Sequence, residues 1–280
     1  MLKGFRNVGN SCFFNAVLQI MKIPIKTIMR DTDDELLCLI FDLYGENASD
    51  KTYINLYRTI LTKLKIPFFA QHDSHEILQK MTDVIQSKVD VFNVEWMKIK
   101  TCNKCRKTEY SRSDSDNNTN LISYALHQDD VSEYVRFDKF LWSVLKKENV
   151  KGMEMECGCN DGSLKYVLTK MPKFLYLTVS RFKYDGRGTK LTNRLQIAEN
   201  FTITTPIDIK KRINADNRYK IRGLVLHHGR TLESGHYTTM LMLNDEWYMF
   251  DDNSVNRMGS IDIDSEQLQR CVYIMLYEKI

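Results

Sequence analysis

The chain contains little proline and little glycine, with 4 and 12 of these residues among 280. This scarcity excludes a collagen-like chain and argues against a largely disordered one. No segment approaches the roughly 20 apolar residues that a membrane helix requires, so we expect no membrane-spanning helix. Hydrophobic residues make up 43% of the chain and charged residues 27%. We therefore predict one large folded domain, or two small ones, with a buried core.

Neither sign of charge is in marked excess. The 40 lysines and arginines nearly balance 36 aspartates and glutamates, which leaves a formal net charge of +4. Domains that bind nucleic acid usually carry a clustered basic surface, and we find no basic stripe near the cysteine motifs discussed below. The short basic run at 210–212 is expected to be a solvated loop. The sequence thus predicts no nucleic-acid partner.

The chain has seven cysteines, an odd number. Its first residues are polar rather than apolar, so we predict no signal peptide and no membrane attachment. A protein of this kind is expected in an intracellular, reducing compartment, either cytoplasmic or nuclear. The cysteines are therefore interpreted first as thiols or metal ligands and only then as disulfides.

The first 90 residues are predicted to be mostly helical. A Gly/Asn-rich loop over 4–12 precedes a dense apolar pattern, with Ser11 or Asn10 as a plausible N-cap. Asp73 or Ser74 is the corresponding cap of a later helix. The predicted helices are 13–22, 34–44, 53–64 and 73–88.

Beyond residue 95 the sequence favours strands, because Tyr, Val, Ile and Thr become frequent. A polar, low-complexity stretch at 111–120 predicts an exposed loop, and 132–147 has a helical pattern. Helices followed by a mostly antiparallel sheet define an α+β fold. The predicted strands are 121–126, 164–169, 173–182, 219–228, 236–243, 246–251 and 271–277.

Cys12 is a candidate nucleophile because it stands where the Gly/Asn loop meets a helix. Free backbone N–H groups and the positive end of the helix dipole favour a thiolate there. The same N–H groups, with the side chains of Asn7 and Asn10, could donate to an oxyanion. A buried, inert cysteine is the alternative. Cys38 and Cys271 lie in apolar patterns and are expected to be buried.

His236 and Asp251 are candidates for a general base and the residue that orients it. His236 opens one predicted strand and Asp251 closes the next, so a β-hairpin would make them neighbours. A carboxylate in that position holds the imidazole in the tautomer that accepts a thiol proton. Gly235 would leave room for a slim substrate. The alternatives are a structural histidine and a turn over 251–254.

Four segments together resemble the ubiquitin-specific protease family. Gly4 to Gln19 is similar to the cysteine box of that family. Tyr219 to Gly229, with 234–237 and 247–252, is similar to its histidine box. Two further similar segments, 71–78 and 171–182, lie between these boxes in the expected order. The resemblance covers nearly the whole chain.

This resemblance implies a papain-like fold shaped as a right hand. The helical thumb would comprise 1–95, the fingers 96–170 and the palm 171–280. It implies hydrolysis of the bond after the C-terminal Gly-Gly of ubiquitin. The implied roles are Cys12 as nucleophile, His236 as general base, Asp251 as third triad member, Asn7 as oxyanion donor, and Asn10 and Asp252 as auxiliary residues.

The family substrate has an extended tail that contains arginines and ends in two glycines. Asp73 and Glu76 are three residues apart on one helix face and could meet that positive charge. A helix cap and a solvated face are the alternative interpretation. Gly235 and Tyr237 are candidates for lining the channel, although Tyr237 could simply pack.

A structural zinc ion is the only cofactor we expect. Cys102 and Cys105 form a Cys-x-x-Cys half-site, and Cys157 and Cys159 form a shorter Cys-x-Cys half-site where the family usually has Cys-x-x-Cys. Four thiolates in this arrangement suit tetrahedral Zn²⁺. The alternative is a degenerate site with free thiols.

The expected partners are ubiquitin and ubiquitinated proteins, and the chain is expected to be a monomer. Two alternatives remain open: a relative that binds ubiquitin with little or no turnover, and a protease for a ubiquitin-like modifier. The complete Cys–His–Asp set favours an active enzyme. Linkage preference and protein substrates are not encoded in these motifs.

Overall fold

The protein is described by a computed structural model. The structure describes residues 2–28, 33–45, 48–68, 70–112, 120–126, 134–139, 148–183, 188–208, 211, 213–231 and 234–280.

The N-terminal part is helical, as predicted. Three of its helices are capped by a side chain at the residue before the first turn: Asp34, Ser49 and Asp73 each accept a hydrogen bond from a backbone N–H. Such caps satisfy donors that have no partner inside the helix. The helices are α1 (Cys12–Thr27), α2 (Glu35–Leu43), α3 (Asp50–Lys63) and α4 (Ser74–Gln86).

Helix α1 is longer than the predicted range 13–22. It begins at Cys12 itself and continues through Pro24. Every residue from Cys12 to Ile25 is buried, including the polar residues Asn15, Gln19 and Lys22, so no change from buried to exposed positions marks where this helix stops. Tertiary packing around α1 outweighs the usual tendency of proline to end a helix.

The rest of the chain is rich in strands. They are β1 (Glu95–Cys102), β2 (Thr108–Arg112), β3 (Leu121–Ala125), β4 (Tyr134–Val135), β5 (Glu148–Lys151), β6 (Asp161–Lys170), β7 (Phe174–Ser180), β8 (Phe182–Lys183), β9 (Thr189–Lys190), β10 (Arg194–Leu195), β11 (Asn200–Asp208), β12 (Ile213–Gly229), β13 (Gly235–Leu243), β14 (Glu246–Asp251), β15 (Ser254–Gly259) and β16 (Val272–Lys279), with a short helix α5 (Glu266–Cys271) before the last strand.

Most of these strands belong to two sheets, and two short pairs, β4 with β10 and β8 with β9, lie outside them. A four-stranded sheet has the order β2-β1-β6-β5, and an eight-stranded sheet has the order β15-β14-β13-β12-β16-β7-β3, with β11 paired to β12. Among the described strands of these two sheets all pairs are antiparallel except β3 with β7, which is parallel. The α+β prediction is confirmed. Strand β3, which lies within the predicted finger range 96–170, joins the large sheet.

The large sheet carries apolar side chains on both faces. One face packs against α1, where Thr239 donates a hydrogen bond of 3.0 Å to the carbonyl of Ala16. Val225 of β12 belongs to this face, whereas its neighbours Leu224 and Leu226 belong to a second core on the opposite face. The period-2 alternation of a strand separates the two cores. Helix α1 is thereby held across β12 and β13.

Several sequence predictions are wrong in detail. Residues 134–135 form a strand rather than part of the predicted helix 132–147, and 137–139 are helical; most of that range lies outside the described residues. Most of the predicted 111–120 loop, and residues 210 and 212 of the basic run, also lie outside them. Cys38 is exposed rather than buried, and Cys271 is partly buried at the end of α5. Apolar neighbours in sequence did not reveal the direction of either side chain.

All seven cysteines are free thiols. No helix within the described ranges has both the length and the apolar character needed to cross a bilayer.

Candidate active site

Cys12 is the first residue of α1 and is 4% exposed. The loop before it turns sharply, since Gly9 and Asn10 have φ angles of +98° and +51°. This turn places the cysteine at the positive end of the longest helix of the described chain, where a thiolate is stabilised by the helix dipole. Ser11 supplies a side-chain acceptor for the N–H of Val8 at 3.0 Å, which ties the loop to the helix start.

His236 and Asp251 lie on neighbouring strands, as predicted from the hairpin. The register pairs Thr239 with Phe250, so His236 lies just past the paired residues of β14 and reaches Asp251 diagonally. His236 Nε2 and Asp251 Oδ1 are 2.6 Å apart. The carboxylate therefore determines the orientation of the ring, and Nδ1 is the ring nitrogen left for the Cys12 sulfur.

The pKa of His236 depends on its contact with Cys12. A side-chain hydrogen bond with Cys12 is the main cause that raises the pKa of His236 to about 9, and Asp251 contributes in the same direction against the effect of burial. Below this pH the imidazole holds a proton beside the sulfur. The arrangement can therefore form a thiolate–imidazolium pair and deliver a proton to a leaving group.

Asn7 is held in one orientation next to the nucleophile. Its amide Nδ2 donates to Asp252 Oδ2 at 2.9 Å. Its Oδ1 accepts from the N–H groups of Gly9 and Ser11 at 3.1 and 3.2 Å. Because Ser11 directly precedes Cys12, this amide lies beside the helix start, where an oxyanion donor is required. Asn10 is exposed in the loop itself.

The two acidic candidates for tail binding have structural partners. Asp73 Oδ1 caps α4 through the N–H of His75 at 2.8 Å, and its Oδ2 accepts from the hydroxyl of Tyr273 at 2.6 Å. Glu76 forms an exposed ion pair with Lys80 at 2.8 Å. These contacts fit the alternative interpretation, in which Asp73 caps the helix and Glu76 lies on its solvated face. A role in binding the tail stays a prediction.

Gly235 is required by a close approach of side chain and backbone. A Cβ built on it would lie 2.3 Å from Nε2 of His227, a fully buried ring. The carbonyl of Gly235 accepts from Gln71 Nε2 at 3.2 Å, which joins the segment before α4 to β13 beside His236. Tyr237 is 1% exposed and packs against the His227 ring. It therefore packs in the core rather than lining an open channel.

Sequence reasoning missed His227, Tyr273 and Asn15 as parts of this site. His227 and Asn15 lie within the motif segments, but nothing in the sequence shows that the His227 ring underlies Gly235. Tyr273 is reached only through folding, because 200 positions separate it from Asp73.

The four cysteines predicted to hold zinc, Cys102, Cys105, Cys157 and Cys159, lie close together. Their sulfur atoms lie within 4.8 Å of one another. A tetrahedral zinc with Zn–S bonds of about 2.3 Å requires sulfurs about 3.8 Å apart, so this set fits the metal. Gly158 has φ +76°, which lets the short Cys-x-Cys turn present both sulfurs to one side. The N–H of Cys105 hydrogen bonds to the Cys102 sulfur at 3.3 Å and is the main cause that lowers the pKa of Cys102 to about 6.

The helix-borne thiol packed against a sheet-borne imidazole and carboxylate defines a class, the cysteine hydrolases of papain-like fold. A family model described as ubiquitin carboxyl-terminal hydrolase matches residues 3–277. The chain belongs to this family, and the resemblance found in the sequence motifs is confirmed.

Two curated relatives illustrate the distance within the family. Ubiquitin carboxyl-terminal hydrolase 15 of Saccharomyces cerevisiae is 24% identical over 91% of this chain and 23% of its own length. The probable ubiquitin carboxyl-terminal hydrolase 8 of Schizosaccharomyces pombe is 21% identical over 99% of this chain and 65% of its own length. The chain thus spans about a quarter and about two thirds of these relatives.

Solved structures confirm the fold. The SAGA Ubp8/Sgf11/Sus1/Sgf73 DUB module bound to ubiquitin aldehyde gives a TM-score of 0.78 at 19% identity, and covers 100% of this chain and 70% of that one. A variant of the same DUB module bound to monoubiquitin gives 0.76, again at 19% identity, with 100% and 69% covered.

Proposed function

We propose that the chain is a thiol-dependent deubiquitinase that hydrolyses the isopeptide or peptide bond after the C-terminal glycine of ubiquitin. The observation that carries this proposal is the hydrogen-bonded line from Cys12 through His236 to Asp251, in which the His–Asp contact is 2.6 Å. Family membership supplies the substrate class.

The proposed chemistry has two stages. The Cys12 sulfur passes its proton to His236 and attacks the glycine carbonyl, whose oxygen becomes an oxyanion near the Asn7 amide. His236 then gives the proton to the departing lysine amine, and the C–N bond breaks to leave a thioester. In the second stage His236 takes a proton from water, whose oxygen attacks the thioester carbonyl. The C–S bond then breaks, His236 returns the proton to the Cys12 sulfur, and the C-terminal acid of ubiquitin leaves and ionises in water.

The Cys12, His236 and Asp251 roles, with Asn7 as oxyanion donor, are part of this proposal. Asn10 and Asp252 are auxiliary. Asp73, Glu76 and Gly235 belong to the wall of the tail channel, and Tyr237 packs behind that wall. The contact from Gln71 to Gly235 supports placing the channel between α4 and β13. The ion pair of Glu76 with Lys80 leaves Asp73 as the stronger acidic candidate.

We also propose that the four clustered cysteines hold a structural zinc ion within the fingers, 96–170. The metal would tie the turn after β1 to the loop before β6, where Lys107 and Glu156 already form an ion pair of 3.1 Å. It would brace the fingers against the body of ubiquitin and take no part in the hydrolysis. The thumb (1–95) and palm (171–280) would supply the catalytic groups, in a monomer acting in the cytoplasm or nucleus.

The direct test is labelling with a ubiquitin probe that carries a C-terminal electrophile. The wild-type protein should form a covalent adduct, and Cys12→Ala should form none. Cys38→Ala is the matched control, because it removes an exposed thiol on another helix and should label normally. Labelling that persists in Cys12→Ala would contradict the proposal.

Two related assays, cleavage of a ubiquitin–amide substrate and labelling with ubiquitin-like probes, separate the two alternatives. A ubiquitin-binding relative without turnover would bind ubiquitin but would not cleave a ubiquitin–amide substrate. A protease for another modifier would react with a ubiquitin-like probe in preference to the ubiquitin probe.

A further inference from the structure

A line of hydrogen-bonded polar groups runs from the buried face of helix α3 to the candidate oxyanion donor. The hydroxyl of Tyr53 donates to Oδ1 of Asn15. Nδ2 of Asn15 donates to Asp252 Oδ1 at 2.7 Å, and Asp252 Oδ2 accepts from Nδ2 of Asn7 at 2.9 Å. Tyr53 and Asn15 are each 2% exposed. We call these three residues the Tyr53–Asn15–Asp252 hydrogen-bond relay. The relay ends on Asn7.

The donor and acceptor types of the neighbouring groups determine the direction of each hydrogen bond in this relay. Nδ2 of Asn15 also donates to the carbonyl of Phe5 at 3.1 Å, so a flipped amide would turn its oxygen toward both a carbonyl and a carboxylate. Oδ1 must therefore face Tyr53, whose hydroxyl must donate. Burial raises the pKa of Tyr53, which keeps that hydroxyl protonated at any working pH.

The consequence for Asn7 is that its amide cannot rotate. One of the two Nδ2 hydrogens of Asn7 is donated in a hydrogen bond to Asp252, and its Oδ1 accepts hydrogen bonds from the N–H groups of Gly9 and Ser11. Among the described residues this leaves the second Nδ2 hydrogen available, in an amide that is bound to Ser11, the residue before Cys12. An amide with fixed orientation stabilises an oxyanion without reorganising during the reaction, which is where such donors obtain most of their effect.

We propose that Tyr53 and Asn15 are positioning residues for the hydrolysis, which hold Asp252 so that the Asn7 amide faces the oxyanion. This inference rests on the proposed function, because the oxyanion role of Asn7 belongs to it. The Tyr53 ring stacks on Phe5 with 5.4 Å between centroids, and the N–H of Phe5 donates to the Asp252 carbonyl at 2.8 Å. The same tyrosine thus supports both the side chain and the backbone of Asp252.

Tyr53→Phe tests the proposal because it keeps the stacked ring and removes only the hydroxyl. We expect kcat to fall about tenfold, since small displacements of positioned groups cost rate steeply. KM for a ubiquitin substrate should not change, because the hydroxyl lies far inside the protein. Tyr57→Phe is the matched control: Tyr57 lies one turn further along α3, is 3% exposed, and its hydroxyl has no hydrogen-bond partner among the described residues.

A double-mutant cycle with Asn7→Ala distinguishes positioning from a general structural role. If Tyr53 acts through Asn7, adding Tyr53→Phe to Asn7→Ala should cause no further loss of kcat. An equal loss of about tenfold in both backgrounds would overturn the inference, as would an unchanged kcat in Tyr53→Phe alone. Asn15→Ala, which removes the central residue of the hydrogen-bond relay, should show the same non-additivity with Asn7→Ala.

The outcomes for the two proposals differ. If Asn7→Ala leaves kcat unchanged, the oxyanion role within the proposed function is wrong. If Asn7→Ala lowers kcat while Tyr53→Phe does not, the proposed function stands and the present inference alone is overturned.

Discussion

The protonation state of His236 determines what the candidate site can do chemically. The bonds to Cys12 and Asp251 raise its pKa to about 9 even though burial acts in the opposite direction. In the proposed reaction a proton held up to that pH would serve twice, because it would stabilise the thiolate and then be given to the leaving amine. The basic limb of the kcat/KM profile should therefore report the loss of this proton.

We expect the basic limb of kcat/KM to lie near pH 9 in the wild-type protein and to move to lower pH in Asp251→Ala. The sign follows because Asp251 raises the pKa of His236, so removing the carboxylate lowers it. The rate at neutral pH should fall about 100- to 10,000-fold, the range for general acid–base groups. The measurement is a pH–rate profile with a fluorogenic ubiquitin substrate. Asp245→Ala, on the turn of the same hairpin, should leave the limb in place.

Gly235 tests the close contact beneath the candidate base. In Gly235→Ala the new Cβ would meet His227 Nε2 at 2.3 Å and the carbonyl of His228 at 2.7 Å. We expect a loss of about 1–3 kcal/mol in the free energy of unfolding, typical of overpacking, together with loss of activity as β13 shifts His236. Chemical denaturation measures the first effect. Ser234→Ala, one residue earlier and exposed, should be nearly neutral; equal stability of the two variants would contradict the packing argument.

At the scale of elements, α4 combines a helix cap with a candidate substrate contact in a single side chain. Asp73 uses one carboxylate oxygen for the N–H of His75 and the other for Tyr273. A substitution that keeps the cap but removes the charge can separate these two roles.

We expect Asp73→Ser to raise KM for ubiquitin with little change in kcat, and to cost about 1–3 kcal/mol of stability because the buried Tyr273 hydroxyl loses the Asp73 acceptor. Serine is as good an N-cap as aspartate, so the cap is kept while the negative charge that would meet the basic tail is lost. Asp73→Ala should in addition cost about 1 kcal/mol of stability through loss of the cap. Asp34→Ala on α2 is the control, since it removes an equivalent cap and should not alter KM. An unchanged KM in Asp73→Ser would show that Asp73 has only structural roles, as the cap of α4 and as the acceptor for Tyr273.

At the scale of the whole molecule, the N-terminal helices and the large sheet hold the reactive groups, and the four-stranded sheet carries the cysteine cluster at its turns. That sheet has few strands and little core of its own, and small structural units of this kind gain stability from a metal. The cluster is therefore expected to matter for the stability of the four-stranded sheet more than for chemistry at Cys12.

We expect one zinc ion per chain by elemental analysis and a loss of metal in Cys157→Ser. Removing one of four thiolates leaves an incomplete tetrahedral site. Chelation should lower the melting temperature and raise KM for ubiquitin, whereas a small fluorogenic peptide ester should react at Cys12 as before. Cys38→Ser, outside the cluster, should retain the full metal content. A wild-type protein without zinc would favour the alternative of a degenerate thiol site.

Much of this fold could be predicted from the sequence wherever local pattern and tertiary environment agree. Helix α4 and the hairpin of β13 and β14 are examples, because an N-cap residue or a turn lies at each boundary. The prediction failed at 134–135 and at the end of α1. There, pairing with β10 and burial up to Ile25 decide the structure, and neither can be recognised from the local sequence alone.

The amino-acid sequence by itself determined the family, the α+β class, and the candidate groups Cys12, His236, Asp251 and the four cysteines predicted to hold zinc, because these depend on residue types at characteristic spacings. Only the tertiary structure decided what each side chain touches. The placement of His227 under Gly235, the use of Asp73 by Tyr273, and the line from Tyr53 to Asn7 join residues up to 245 positions apart. Hydrogen bonds act over about 3 Å, so partners distant in sequence are determined by the packing of α1 against the sheet and of α3 against α1.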